Sequence, residues 1–377
     1  MSDTVRLPRL NMLAVDLAAS LFRLTIGDVE VEAESAESTY TFRVIDMKKF
    51  GEKLRALADR ANEVLGRIYM FLGGFFVRRD CGVKYVQELA ERAARDPKGV
   101  IDHLSAVRIE EIREGEGGYV VVWWGEAASD KFVESPPPLL ESIEFMEGAR
   151  MWPAMQLDVE HKKKRSAEKV KTGLKRYIRP TCKVLGALAL GAAATYVAGA
   201  QRRGVLRFLI PLTPVEYDIA TGGTAGRLIS KLGALEACDL PEPLMRLLVA
   251  SLAGRPAVFR LVDIAYTGGK DVKRDSSREF VIDTRAFGGG HPFKFLRTLR
   301  RHADALHGLA RQWCSCERRG WPRECGDVAQ AGAVAAKVYL YADTGDLEHA
   351  YEALSVLLRL SRDIADGVER LVGELVW

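Results

Sequence analysis

The chain has 377 residues, 48% hydrophobic and 28% charged, a composition that excludes a disordered or fibrous protein and exceeds one ordinary core. A formal net charge of +4 conceals an asymmetry: residues 1–150 carry 20 Lys or Arg against 26 acids, and residues 151–377 carry 35 against 25. Only two Asn and five Gln occur, a depletion of thermolabile amides that points to a very hot environment. In such a protein six Cys need not be reduced thiols.

The opening stretch, MSDTVRLPRLNMLAVDLAASLFRL, lacks a basic region feeding directly into an apolar core, so a cytoplasmic protein is expected. Residues 10–24 read as a helix. The alternating segments VEVEAES and TYTFRV read as a strand pair. A long helix over 48–72 places Leu54, Leu57, Ala61, Leu65 and Ile68 on one stripe, and shorter helices follow over 83–95 and 98–106. Val107–Arg113 and Tyr119–Trp124 flank EGEGG, a hairpin signal. SPPPLL at 135–140 is a linker or a loop launching a helix, and a first domain boundary is set near residue 150.

The central region is the most unusual. From His161 to Ile210 there are thirteen Lys or Arg and a single acid, Glu168. A helix is expected over about 165–179, with Ala167, Val170, Leu174 and Tyr177 as its apolar stripe and cations on the rest, stopped by Pro180. The candidate nucleic-acid contacts here are Lys162, Lys163, Lys164, Arg165, Lys169, Lys171, Lys175, Arg176 and Arg179, continued by Arg202 and Arg203. A field of one sign attracts a polyanion, and nucleic acid is the commonest. The bland alternative is a solvated face.

Val184–Gln201 carries no charge over 18 residues. Its Ala and Gly content reads as a buried helix over 183–200, with membrane insertion as the rival. A buried strand, Val205–Leu212, and helices over 224–236 and 242–253 follow. Strands at Ala257–Tyr266 and Glu279–Thr284 bracket a loop, TGGKDVKRDSSR, whose Lys270, Lys273, Arg274 and Arg278 complete the candidate contacts. From residue 291 onward a helical bundle is expected, its last helix turning Leu347, Tyr351, Leu354, Leu358, Ala365, Val368 and Leu375 toward the core. The expectation is an α+β chain in three parts: a mixed domain of hairpins and helices at 1–150, a basic α/β region at 151–290, and a bundle at 291–377.

No catalytic constellation emerges: GxxxxGK[ST], HExxH, GxSxG and zinc-knuckle Cys pairs are all missing. IATGGTAGR at 219–227 lacks the Lys-Ser/Thr ending of a phosphate loop and reads as an ordinary turn into a helix. The six His show no metalloprotease spacing. In WCSCERRGWPREC, Cys325 is placed to pair with Cys316 or Cys314; free thiols, or zinc with His307 as fourth ligand, are the alternatives. An enzyme remains conceivable only if dispersed acids such as Asp263, Asp271, Asp275 and Asp283 met around a divalent ion.

The order of features around VLGALALGAAATYVAGAQRRG, RFLIPLTPVEYDI and TGGKDVKR, with a helical part after them, resembles the large subunit of archaeal type I-A CRISPR interference complexes, over roughly residues 145–377. The resemblance implies a non-catalytic subunit without cofactor. It would help hold the 5′ handle of the crRNA, help recognise the short motif flanking the target DNA, and recruit a helicase-nuclease among other effector subunits. In such assemblies base pairing reads sequence while protein contacts the backbone and the flanking motif.

Overall fold

The computed structural model describes residues 3–9, 13–31, 39–76, 86–114, 117–124, 175–180, 182–198, 203–217, 223–235, 238–267, 273–287, 292–357 and 369–374. Helices and sheets alternate, giving an α+β fold. Contacts divide the chain into two units, Met1–Ile210 with Val262–Glu279 and Pro211–Leu261 with Phe280–Trp377. The boundaries expected near residues 150 and 290 fall outside the described residues.

In the first unit, β1 (Thr4–Pro8), α1 (Leu13–Arg23), β2 (Leu24–Thr25), β3 (Val29–Val31) and β4 (Thr39–Val44) come first. β4 lies between β1 and β3, antiparallel to both. Its alternation buries Phe42 and Val44, and Phe42 stacks on Phe22 of α1 at 5.3 Å. α2 (Met47–Phe76) buries Leu54, Leu57 and Ala61, as its stripe requires. α3 (Val86–Arg95) and α4 (Pro97–Ser105) follow, with Asp96 capping α4 by accepting from the Gly99 N–H at 2.9 Å and Pro97 in its first turn. The hairpin β5 (Val107–Glu114) and β6 (Gly117–Trp124) is tied to α4 by Trp124, fully buried, whose indole N–H donates to the Leu104 carbonyl at 2.9 Å.

β7 (Lys175–Pro180) is the first departure from expectation: these residues form a strand parallel to β6, in register Tyr119↔Lys175 to Trp124↔Pro180, and not the end of a helix. The helical spacing of Leu174 and Tyr177 is overridden because Tyr177, Ile178 and the valine-rich β6 offer a continuous ladder, which Pro180 ends. Residues 165–174 of the expected helix lie outside the described residues.

α5 (Cys182–Thr195) is the hub of this unit and packs against α1, α2, α3 and α4. Its small residues explain this. A Cβ at Gly186 would stand 2.2 Å from the Leu89 carbonyl oxygen, and one at Gly191 would stand 2.2 Å from that of Leu17. Glycine lets α3 and α1 approach to backbone contact. At 14 residues α5 spans about 21 Å, short of a bilayer core, and then turns into β8 (Tyr196–Ala198). No helix among the described residues is long and apolar enough to cross a membrane. β8 pairs antiparallel with β9 (Arg203–Pro211), the start of a sheet of order β8-β9-β11-β12.

The second unit contains β10 (Val215–Glu216), α6 (Gly223–Gly233) and α7 (Glu242–Ala253), whose Leu244, Met245, Leu247, Leu248 and Val249 are fully buried. α7 ends at Gly254, φ +62°, where the Arg300 stem occupies the space a side chain would need. β11 (Val258–Thr267) and β12 (Lys273–Asp283) follow. Lys273–Arg278, expected as loop, is strand: these polar residues extend the alternating Phe280–Ile282 segment back along β11 in the sheet β8-β9-β11-β12. α8 (Pro292–Arg301), α9 (Ala303–Arg318), α10 (Gly326–Thr344) and α11 (Leu347–Leu357) complete the bundle. α11 buries Ala350, Ala353 and Leu357, while Leu347 and Tyr351, expected inside, are exposed.

Cys316 is bonded to Cys325, and Cys314 to Cys238, 76 residues earlier. The sulfurs weighed as zinc ligands are thus in disulfides, and His307 sits with its Nε2 3.0 Å from the Lys231 carbonyl oxygen.

Candidate nucleic-acid interface

Of the cations singled out in the sequence, Lys162, Lys163, Lys164, Arg165, Lys169, Lys171, Arg202 and Lys270 lie outside the described residues. Lys175, Arg176 and Arg179 fall within one six-residue strand, β7, at the edge of the sheet β5-β6-β7. A charged edge strand has a structural reading, since cations there block pairing with another chain, and a functional one, since extended backbone spaces cations along a line. Arg203 opens β9, and Lys273 and Arg274 open β12.

Arg278 has a defined partner. Its guanidinium donates to Asp263 Oδ2 at 3.0 Å, while 36% of the side chain remains exposed. Asp263, buried on β11, also receives two bonds from Arg207 of β9: Nε to Oδ1 at 2.8 Å and Nη2 to Oδ2 at 3.0 Å. One carboxylate is thereby shared by two guanidiniums from neighbouring strands, a fork–fork arrangement on the Arg207 side. Asp283, another acid of the metal-ion alternative, accepts from the Arg285 side chain at 2.7 and 3.0 Å. Those bonds outweigh partial burial and hold its carboxyl below the usual range. Asp271 and the Asp275 side chain lie outside the described residues. Among the described residues no group of three His, Cys, Asp or Glu is arranged to hold a metal ion.

A cationic face with a weaker sequence signal lies on α8. Phe295, Leu296, Thr298 and Leu299 are buried, which turns Lys294, Arg297, Arg300 and Arg301 outward. Arg301 bonds Glu374 at 2.9 Å; no described acid pairs with Lys294, Arg297 or Arg300. Phe293, at the head of the same helix, is 73% exposed, a large ring left in water beside cations. The signal was present in the sequence: Arg285–Ala303 contains five Lys or Arg and no acid. It is diluted by the glycines and phenylalanines between them, so it lacks the density of the 161–179 run and was missed. Chemically, such a face supplies phosphate-binding donors together with a ring on which an unpaired base can stack.

Comparison with protein-family models finds no match to this chain, and comparison with curated proteins finds none.

Proposed function

We propose that the chain is a non-catalytic, nucleic-acid-binding large subunit of a crRNA-guided CRISPR effector, cytoplasmic and acting in antiviral defence. Its partners in this reading are crRNA and target DNA, the other effector subunits and a helicase-nuclease. The observation that carries it is the distribution of charge: thirteen cations against one acid over 161–210, joined by the acid-free face of α8. Such surfaces bind phosphates without reading sequence, which suits a subunit whose specificity comes from base pairing and a flanking motif. The engagement of Asp263 by Arg207 and Arg278 favours a binding subunit over a metal-dependent nuclease, because the carboxylate best placed by burial already has cationic partners.

The test is the salt dependence of binding to a labelled single-stranded RNA and to duplex DNA. Removing one cation that neutralises a phosphate should flatten the slope of log K against log salt by about one unit. Neutralising Lys162, Lys163, Lys164 and Arg165 together is expected to reduce the slope by several units, and Arg297→Ala by about one. Slopes unchanged in both variants would reduce these cations to a solvated face.

A further inference from the structure

A groove of about 520 Å³ lies along α9 in the second unit, lined by Arg311, Gln312, Ser315 and Arg318 and by Ala234 and Leu235, just after α6. Arg311 and Arg318 are seven residues apart, so they lie on nearly the same side of the helix and about 10 Å apart along its axis. Ser315 and Gln312 stand between them. None of the described lining residues is an acid. Arg311 is exposed, and no described acid pairs with it.

The groove is built rather than incidental, because Lys231, Cys238 and Asp239 are each tied to α9. The Cys238–Cys314 disulfide is one tie. The indole N–H of Trp313 donates to the Asp239 carbonyl at 3.2 Å, and the Asp239 N–H donates to Glu317 Oε2 at 2.9 Å. His307 closes the other end on the Lys231 carbonyl. The imidazole of His307 is pushed below its usual pKa by burial first, which its bond to the Lys231 backbone and the Asp304 charge oppose and the Lys231 and Arg311 charges reinforce. The Arg311 guanidinium, a carboxamide and a hydroxyl, with the Arg318 guanidinium held along the helix by its Nε bond to the Cys314 carbonyl at 3.3 Å, form a donor set suited to phosphate oxygens.

We propose that this groove is a phosphate-binding site, in which Arg311 and Arg318 take the charge of one or two phosphate groups and Gln312 and Ser315 add neutral donors. The phosphate belongs either to a nucleic-acid backbone or to a small phosphorylated compound, and the probes separate the two. The site involves none of the cations on which the function above rests.

Full-length protein is titrated with ADP by calorimetry and with a labelled single-stranded RNA by anisotropy. Arg311→Gln is the principal variant, because Arg311 makes no bond that the fold depends on, and an unchanged melting temperature confirms its integrity. At least one probe should bind, and Arg311→Gln should weaken it about tenfold, the effect of removing one charge-assisted hydrogen bond. ADP binding identifies a small compound as the ligand; RNA binding without ADP binding identifies the backbone. RNA binding that falls in the 162–165 variant but is unchanged in Arg311→Gln, with no ADP binding, overturns the groove site and leaves the proposed function standing. ADP binding abolished in Arg311→Gln, with no RNA binding at all, keeps the groove and removes the proposed function.

Discussion

In the first unit three ion pairs are taken out of water: Lys53 with Asp28, Arg23 with Asp16, and Arg207 with Asp263. In the second unit each described pair leaves at least one partner well exposed, as with Lys231–Asp304, Arg255–Glu216 and Arg319–Glu324. There the tying is covalent, through Cys238–Cys314 and Cys316–Cys325. The two devices fail differently. A buried pair costs several kcal/mol of desolvation per ion and holds only while both partners are present and charged. A disulfide acts mainly by constraining the unfolded chain and is indifferent to protons. The pairs of the first unit should therefore respond to pH and to removal of one partner, and the two links of the second to removal of a cysteine.

Loss of these two links gives the largest expected effect. On a chain-entropy account the Cys238–Cys314 link, closing 76 residues, contributes about 4.5 kcal/mol and the Cys316–Cys325 link, closing 9, about 2.5. Native-state hydrogen exchange resolves where stability falls. With Cys238→Ser and Cys325→Ser removing both bonds, protection should drop in α7 and α9 while α1 and α5 keep theirs. Equal decreases in the two sets would break the comparison.

Lys53 supplies the converse experiment. Its ammonium donates to the Leu24 carbonyl at 2.9 Å and to Asp28 Oδ2, and both side chains are fully buried. Asp28 also accepts from the Ile26 N–H at 2.8 Å, so the pair pins the turn between β2 and β3 onto α2. Lys53→Met strands the carboxylate and should cost about 3–5 kcal/mol, most of it recovered in the Asp28→Asn/Lys53→Met double variant. Burial, opposed by Asp28, lowers the Lys53 pKa from 10.5 to about 8. Between those values the unfolded chain holds a proton that the native chain has released, so this group makes stability rise with pH across that window and contributes no slope below it. Unfolding at pH 7.5 and pH 10 should show wild type gaining on Lys53→Met; a flat or falling difference would refute the assignment.

What was legible in the sequence was local. The strand pair β3–β4, helices α1 and α2, the hairpin β5–β6 and the small-residue α5 all announce themselves by periodicity within a few turns or a short loop. What was not legible depends on distant partners. β7 satisfies a helical stripe by itself and becomes a strand only because β6, more than 50 residues earlier, presents a ladder. Of the two candidates for Cys325, Cys316 is its partner, while Cys314 pairs with Cys238, 76 residues earlier, to which α9 brings it. Asp263 looked like an available acid until Arg207, 56 residues away, was placed beside it. On α11 Ala350, Ala353 and Leu357 are buried while Leu347 and Tyr351 face water, a shift of the expected stripe; Leu358, Ala365, Val368 and Leu375 lie outside the described residues. The 161–171 cations, the strongest signal in the sequence, lie outside the described residues, whereas α8 and the α9 groove, with weaker signals, have defined geometry.

The smallest effect sharpens the comparison most finely, because both units use a glycine to bring elements into contact. At Gly191 on α5 the obstacle to a methyl group is backbone, the Leu17 carbonyl oxygen at 2.2 Å. At Gly332 on α10 it is the Trp313 ring, with Cζ3 at 2.5 Å. In a helix interior alanine is favoured over glycine by about 1 kcal/mol, which offsets part of either clash. A backbone carbonyl belonging to α1 cannot step aside without moving that helix, and α1 is buried along its whole length. Gly191→Ala should therefore cost a net of about 1–3 kcal/mol, with reduced protection in α1 and α5. The Trp313 ring meets Trp321 edge to face at 4.5 Å, and Trp321 is partly exposed, so the two rings can shift toward solvent against one tether, the Trp313 N–H bond to the Asp239 carbonyl at 3.2 Å. Gly332→Ala should then be within about 1 kcal/mol of wild type, the clash relieved by ring movement and the remainder offset by helix propensity. A larger destabilisation at Gly332 than at Gly191 would mean that the disulfide-tied unit is the more rigid of the two against packing strain, reversing the contrast drawn from their charges.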